Sequence, residues 1–281
     1  MKDSGSQSKL KAVARTVLPL RWRSAIRRWL VSRTLKRLRA KAPALPYGSL
    51  VRCMGYSLRI TDGMNFYMQF KDEYLQRIYH FEAERPDPLI LDCGSNIGMA
   101  TLYFKHVYPR ARIIAFEPDP AIFGLLEQNV AENRLADVEL INAAIGGRSE
   151  NRDFVADGGA GGRFGMGMNT IPVRTVQLSS HLMQPVDFIK LNIEGEELAV
   201  LEEAALSGRL QNVRELVLEY HGWAAGPQRL GAILDLLDHQ GFRYLVHDFD
   251  AETCSATKPP FRCDPPKDWF CLVYARRMSD G

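Results

Sequence analysis

The chain predicts a doubly wound α/β domain built on a seven-stranded, mostly parallel sheet with an antiparallel edge strand. Three observations carry this expectation. From Leu89 onward, short apolar runs of strand length alternate with helical stretches. A glycine loop, Asp92-Cys93-Gly94-Ser95-Asn96-Ile97-Gly98, follows the first of those runs, where such sheets bind ligands. The last two strands have no helix between them, as antiparallel neighbours do.

Residues 1–46 form a basic arm. They hold thirteen Lys or Arg against one acid, Asp3, for a net charge of +12. The remaining residues carry 23 basic and 32 acidic side chains, a net of −9, so the overall +3 hides a cationic arm on an anionic body. Any attraction to nucleic acid or anionic lipid must come from the arm. From Leu18 to Leu30 a helical face collects Leu18, Trp22, Ala25, Ile26, Trp29 and Leu30 opposite Arg21, Arg23, Arg27 and Arg28. That pattern, with the further cations up to Arg39, suits a helix lying on an anionic membrane through residues 18–39, or one docked on its own domain; RNA contact is a third reading. Pro43 and Pro46 place a boundary near residue 46.

Residues 47–88 read as a lead-in unit. Leu58 and Ile60 alternate before Asp62-Gly63, and Met64, Phe66, Met68 and Phe70 alternate after it, which predicts a hairpin with a type I′ turn. Residues 72–82 are expected to form a short helix.

Residues 89–281 are the main domain. Its strands are expected at 89–92, 112–116, 138–142, 186–193, 215–219, 243–247 and 270–275. Helices are expected from the glycine loop to His106, then at 122–133, 196–206 and 228–240. The residues just past each strand carry the chemistry, because ligands sit outside the carboxyl ends of the strands. They are the glycine loop, Glu117-Pro118-Asp119, Asn192-Ile193-Glu194-Gly195 and Glu219-Tyr220-His221.

The glycine loop lacks the GxGxxG spacing of a pyrophosphate cradle, and the carboxylate of Asp92 precedes it. Glu117 lies nineteen residues beyond Gly98, where an acid can accept from both hydroxyls of a ribose. A ribose acid without a phosphate cradle points to S-adenosylmethionine rather than a dinucleotide, which leaves a nicotinamide oxidoreductase as a distant reading.

The segments LILDCGSNIGMATLYF, IIAFEPDP, IPVRTVQL, VDFIKLNIEGEELAVLEEA and LVLEYH resemble the FkbM-type methyltransferases over roughly residues 66–275. The most specific is IKLNIEGEELAVLEEA, similar to the family's Ile-Lys-x-Asp-x-Glu-Gly block. The resemblance implies a Rossmann-like, S-adenosylmethionine-dependent O-methyltransferase acting on a hydroxyl of a sugar, glycan, glycolipid or secondary metabolite. It implies cofactor contacts at Asp92, Gly94, Asn96, Gly98 and Glu117, with Asn142, Ala143 and Ala144 near the adenine. The family's Asp is Asn192 here, and an amide cannot act as a base. Glu194 or His221 is then expected to take the proton. Each has a plainer alternative: Glu194 as a cap on the following helix, His221 as a loop hydrogen-bond partner.

Rival readings are an RNA methyltransferase guided by the arm, against which the acidic body argues, and a cofactor-binding protein that has lost catalysis. Asp264-Pro265-Pro266-Lys267 lacks the position and the aromatic residue of a base-flipping signature and reads as a proline turn. The glycine-rich stretch from Gly158 to Gly167 is either a lid or slack chain. No metal site is assigned, although Glu194 with Glu219 would suit a divalent cation. Cys53, Cys93, Cys254, Cys263 and Cys271 are scattered, which predicts free thiols and a cytoplasmic protein. No apolar run is long enough for a spanning helix or a signal peptide.

Overall fold

The computed structural model describes residues 20–156, 158–159, 162–164, 170–224, 226–247 and 268–278, with backbone alone at 20–25 and 27. Cys254, Cys263 and the Asp264-Pro265-Pro266-Lys267 turn lie outside the described residues.

The sheet contains β3 (Leu89–Cys93), β4 (Arg112–Phe116), β5 (Val138–Ile141), β10 (Phe188–Leu191), β11 (Glu215–Gly222), β12 (Phe242–His247) and β13 (Trp269–Arg277). Its spatial order is β12-β13-β11-β10-β3-β4-β5. The five strands from β11 to β5 are parallel, and β13 runs antiparallel to both its neighbours. The antiparallel strand therefore sits one place in from the rim, inserted between β11 and β12, rather than at the edge. The apolar run of β3, with every residue buried, reflects helices covering both faces.

On one face lie α3 (Met99–Val107) and α4 (Pro120–Glu132), and on the other α5 (Glu197–Leu206) and α6 (Leu230–His239). Asp119 caps α4 by accepting from the Ala121 and Ile122 N–H groups at 2.8 and 3.4 Å, with Pro120 in the first turn. The chain order reverses between β3 and β10, and the crevice opens there. A Cβ on Gly94, which has φ +81°, would lie 1.9 Å from the Asn192 carbonyl oxygen, so only glycine lets the loops after β3 and β10 meet.

The lead-in departs from expectation. The hairpin pairs β1 (Leu50–Cys53) with β2 (Tyr56–Arg59), and its turn is Met54-Gly55, with φ of +49° and +91°. Asp62-Gly63 instead begins α2 (Gly63–Phe70), where the Asp62 carboxylate accepts from the Asn65 N–H at 2.8 Å. Phe66 and Phe70, four apart, are both buried against the core. The expected helix at 72–82 is a single π-helical turn, Lys71–Gln76, ended by Arg77 at φ +62°. Buried Asn129 of α4 bonds the Arg59 backbone at 2.7 and 3.0 Å and donates to the Ile97 carbonyl at 2.8 Å, tying the lead-in to the glycine loop.

The arm forms α1 (Leu20–Lys41), and its second half is part of the body. Val31, Leu35 and Leu38 are buried in the core shared with α2 and α3. The expected boundary near residue 46 thus follows an element already packed on the domain.

A small second sheet also escaped the sequence reading. It orders β6 (Ala144–Gly146), β9 (Thr170–Gln177), β7 (Asn151–Val155) and β8 (Arg163–Phe164), and carries the described part of the glycine-rich stretch over the crevice.

Candidate active site

The crevice outside the strand ends is walled by six segments. The glycine loop contributes Gly94, Ser95 and Asn96; the β4 end contributes Phe116, Glu117 and Pro118; Ala143, Ala144 and Ile145 follow β5. Lys190, Asn192, Ile193 and Glu194 come from β10 and its loop, and Phe154 and Phe164 close the cleft from the small sheet. The lead-in unit adds Gln69, Glu73 and Tyr79, which the sequence reading did not place there.

Of the expected site residues, Gly94, Asn96, Glu117, Ala143, Ala144, Asn192 and Glu194 line this cleft. Four stand behind it. Asp92 is fully buried, accepts from the Thr101 hydroxyl at 2.7 Å and pairs with Lys190 Nζ at 3.0 Å. Gly98 caps α3 with φ +89°, where a Cβ would come within 2.7 Å of Leu126. Asn142 donates to the carbonyls of Glu117 and Pro118 at 2.8 and 3.1 Å, steadying the β4 loop from outside. His221 is buried behind Glu194.

Glu117 is held by the backbone. It accepts from the Asn96 and Asp119 N–H groups, both at 2.9 Å. Burial pushes its carboxyl up to about 7, against the opposing pull of these two bonds. Each of its oxygens keeps a lone pair for a ligand donor.

Lys190 anchors the other wall. Its ammonium donates to the Gly94 carbonyl at 2.7 Å and lies 5.4 Å from the Tyr79 ring centroid. Burial alone would lower its pKa, but Asp92 and Glu73 outweigh that and raise it, so it stays charged. Glu73 is raised well above the carboxylate range by burial, with Lys190 opposing and Asp92 adding to the rise. Among the described residues, three buried oxygens on this cleft have no hydrogen-bond partner: Glu73 Oε2, Asn96 Oδ1 and Asn192 Oδ1. Glu73, Glu117, Asp119 and Glu194 face the cleft beside Lys190, which Asp92 pairs, so among the described residues the cleft is rich in carboxyl groups and acceptors. That is a receptacle for a cationic, donor-bearing ligand.

The catalytic candidates separate. Glu194 adopts φ +57°, a left-handed conformation uncommon for a residue other than glycine, asparagine or aspartate. The N-cap of α5 is Glu196, and the Gly195 N–H donates to Glu197 at 3.1 Å. Asn192 donates to Glu219 at 3.1 Å. His221 Nε2 lies 3.3 Å from Glu194 and 3.6 Å from Glu219, while Nδ1 lies 3.6 Å from Glu197. The ring stacks on Trp223 at 5.2 Å. Burial alone would lower the His221 pKa, but the carboxylates of Glu197, Glu194 and Glu219 outweigh it and carry it up to about 9. Three carboxylates around the ring favour its charged form, which cannot accept a proton, so the surroundings favour Glu194 over His221 for the expected role of base. Among the described residues no group of three or more His, Cys, Asp or Glu is arranged to hold a metal ion.

Lys190 and Glu73 each carry a signal in the sequence. A lysine inside the apolar strand Phe188–Leu191 demands a buried partner. Glu73 falls three residues after Phe70 and seven after Phe66, on the buried side of the same helical run.

A family model for the methyltransferase FkbM domain matches residues 92–244, more than half of the chain. The chain is 29% identical over 180 residues to the 2-O-methyltransferase NoeI of Sinorhizobium fredii, covering 55% of this chain and 72% of that protein. It is 36% identical over 76 residues to Methyltransferase 1 of Beauveria bassiana, covering 27% of this chain and 30% of that protein. It is 33% identical over 69 residues to the 31-O-demethyl-FK506 methyltransferase FkbM of Streptomyces tacrolimicus, covering 24% and 26% of the two. The matched parts thus span less than a third of the last two relatives. A solved structure of a methyltransferase FkbM from Methylobacillus flagellatus is similar at 14% identity and a TM-score of 0.45, over 87% of this chain and 59% of that one.

Proposed function

This chain belongs to the FkbM methyltransferase family, and on that footing we propose that it methylates a hydroxyl group with S-adenosylmethionine as donor. The acceptor class we infer is a sugar, glycan, glycolipid or secondary-metabolite hydroxyl. The O-methyl character draws support from the names of two relatives, a 2-O-methyltransferase and a 31-O-demethyl-FK506 methyltransferase. The observation that carries the reading is one acceptor-rich cleft with Glu117 at one wall and Glu194 at another.

The cleft fits the donor. S-adenosylmethionine, when bound, supplies a methyl group made electrophilic by a sulfonium. Glu117 would accept from the ribose hydroxyls, and Phe116, Ile122, Ala143, Ala144 and Ile145, which line the cleft, would wall the base. The unpartnered oxygen of Glu73 would accept from the ammonium of the methionine end, whose charge would favour the ionised carboxylate. Asp92 serves by holding Lys190 in place.

Methyl transfer is an in-line displacement, so the protein's share is alignment and proton removal. Alignment at a near-attack distance contributes on the order of 7–11 kcal/mol. Asn192, fixed by its bond to Glu219, turns its free oxygen to the acceptor hydroxyl and orients it. Glu194 takes the hydroxyl proton as the methyl arrives, with imidazolium His221 behind it fixing its position. Of the two acids in the family block, this chain keeps the second, Glu194, and carries an amide, Asn192, in place of the first.

The test is transfer of a labelled methyl group to a panel of glycans, glycolipids and hydroxylated metabolites. Glu194→Gln should bind donor as the parent does and lose roughly 10²–10⁴-fold in rate. Donor binding with no transfer to any hydroxyl would overturn the enzyme reading and leave a binding protein in which Asn192 has replaced the acid. Transfer to RNA alone would replace the acceptor class.

A further inference from the structure

We propose that the outward face of α1 docks this protein on an anionic lipid bilayer. The helix has two apolar faces, one in each half, on opposite sides. At 100° per residue Val31, Leu35 and Leu38 share one side and are buried in the core, with Ala42 continuing the row just past the helix. Ile26, Trp29 and Leu30 lie on the other side and are 44%, 58% and 43% exposed. The inward face is already occupied by the body, so the domain cannot also cover the outward one.

Further along that outward side stand Arg33, Lys36 and Arg37, with Arg33 and Trp29 in contact at 5.4 Å from guanidinium to ring centroid. A single face about 16 Å long thus passes from apolar to cationic. The helix sequence holds nine Lys or Arg and no acid. The rest of the chain beyond residue 46 carries −9, so an anionic surface attracts the molecule through α1 and repels its body, which fixes the docked orientation.

A bilayer is the occupant this face suits. Trp29 and the aliphatic side chains enter the interface while the cations meet headgroup phosphates. A second copy would bring its own Arg33, Lys36 and Arg37 against the same cationic face. A polynucleotide offers phosphates but nothing for Ile26 and Leu30.

The experiment is co-sedimentation of the full chain with vesicles of phosphatidylcholine alone or mixed with phosphatidylglycerol. The chain should pellet with the mixed vesicles only and be released by salt. Ile26→Ser/Trp29→Ser/Leu30→Ser should melt as the parent does and lose binding. Arg33→Glu/Arg37→Glu, which leaves the apolar residues in place, should weaken it by roughly tenfold or more. The proposal is overturned if the parent ignores mixed vesicles, if neutral vesicles bind equally well, or if both variants bind like the parent. RNA retarded by the chain with vesicles ignored would overturn it in favour of a nucleic-acid surface.

Discussion

Replacing His221 with Gln separates a structural imidazolium from a catalytic base. The ring is clasped by Glu194, Glu219 and Glu197 at 3.3–3.6 Å, and its pKa rises from 6.5 to about 9. A rise of that size corresponds to about 3 kcal/mol of extra stabilisation of the folded state by the charged ring. Because the folded pKa lies above the unfolded one, the contribution is complete below pH 6.5 and is lost as pH climbs through about 9. Thermal unfolding of parent and His221→Gln from pH 6 to 10 reads this directly. The parent's advantage should be roughly 5–10 °C at the acid end and vanish at the alkaline end, while titrations common to both proteins cancel. An advantage that is flat with pH, or that grows toward alkaline pH, would show a neutral imidazole in the folded protein and restore His221 as the base.

Gly94→Ala should abolish donor binding or unfold the crevice, since its Cβ would sit 1.9 Å from the Asn192 oxygen at φ +81°; a variant that melts and binds normally would show the two loops to be apart. Glu73→Gln should weaken S-adenosylmethionine by roughly 1.5–3 kcal/mol in calorimetry, and unchanged affinity would remove Glu73 from the methionine end. Leu35→Ala should cost about 2–5 kcal/mol by denaturant unfolding, because Leu35 is 7% exposed in the core, whereas Trp29→Ala, at an exposed site, should cost little; equal costs would contradict the two-faced helix.

The main sheet was readable because its strands and helices differ in period. Arg112–Phe116 is a strand over those same residues, and the other expected strands and helices from β3 to β13 agree within about three residues at each end. Met64, Phe66, Met68 and Phe70 failed because spacings of two also contain spacings of four, and the Asp62 cap, not the period, decides for helix. The small sheet hid behind glycines, although Thr170–Gln177 does alternate toward its buried Val173 and Thr175. The clasp of His221 was invisible in a different way. Its partners at 194, 197 and 219 come together only through the pairing of β10 with β11 and the packing of α5. Glu117 was legible because strand end and acid coincide in the chain, whereas Asp92 was misplaced to the cleft because nothing in its neighbourhood announces Lys190, ninety-eight residues away.

The central claim is that Glu117 holds the ribose of a methyl donor, and calorimetric titration of S-adenosylmethionine into the parent and Glu117→Ala tests it most directly. The parent should bind, and the variant, shown folded by its melting curve, should bind more weakly by roughly 1.5–3 kcal/mol. Equal affinity in a folded variant, or no binding by the parent, would contradict the account.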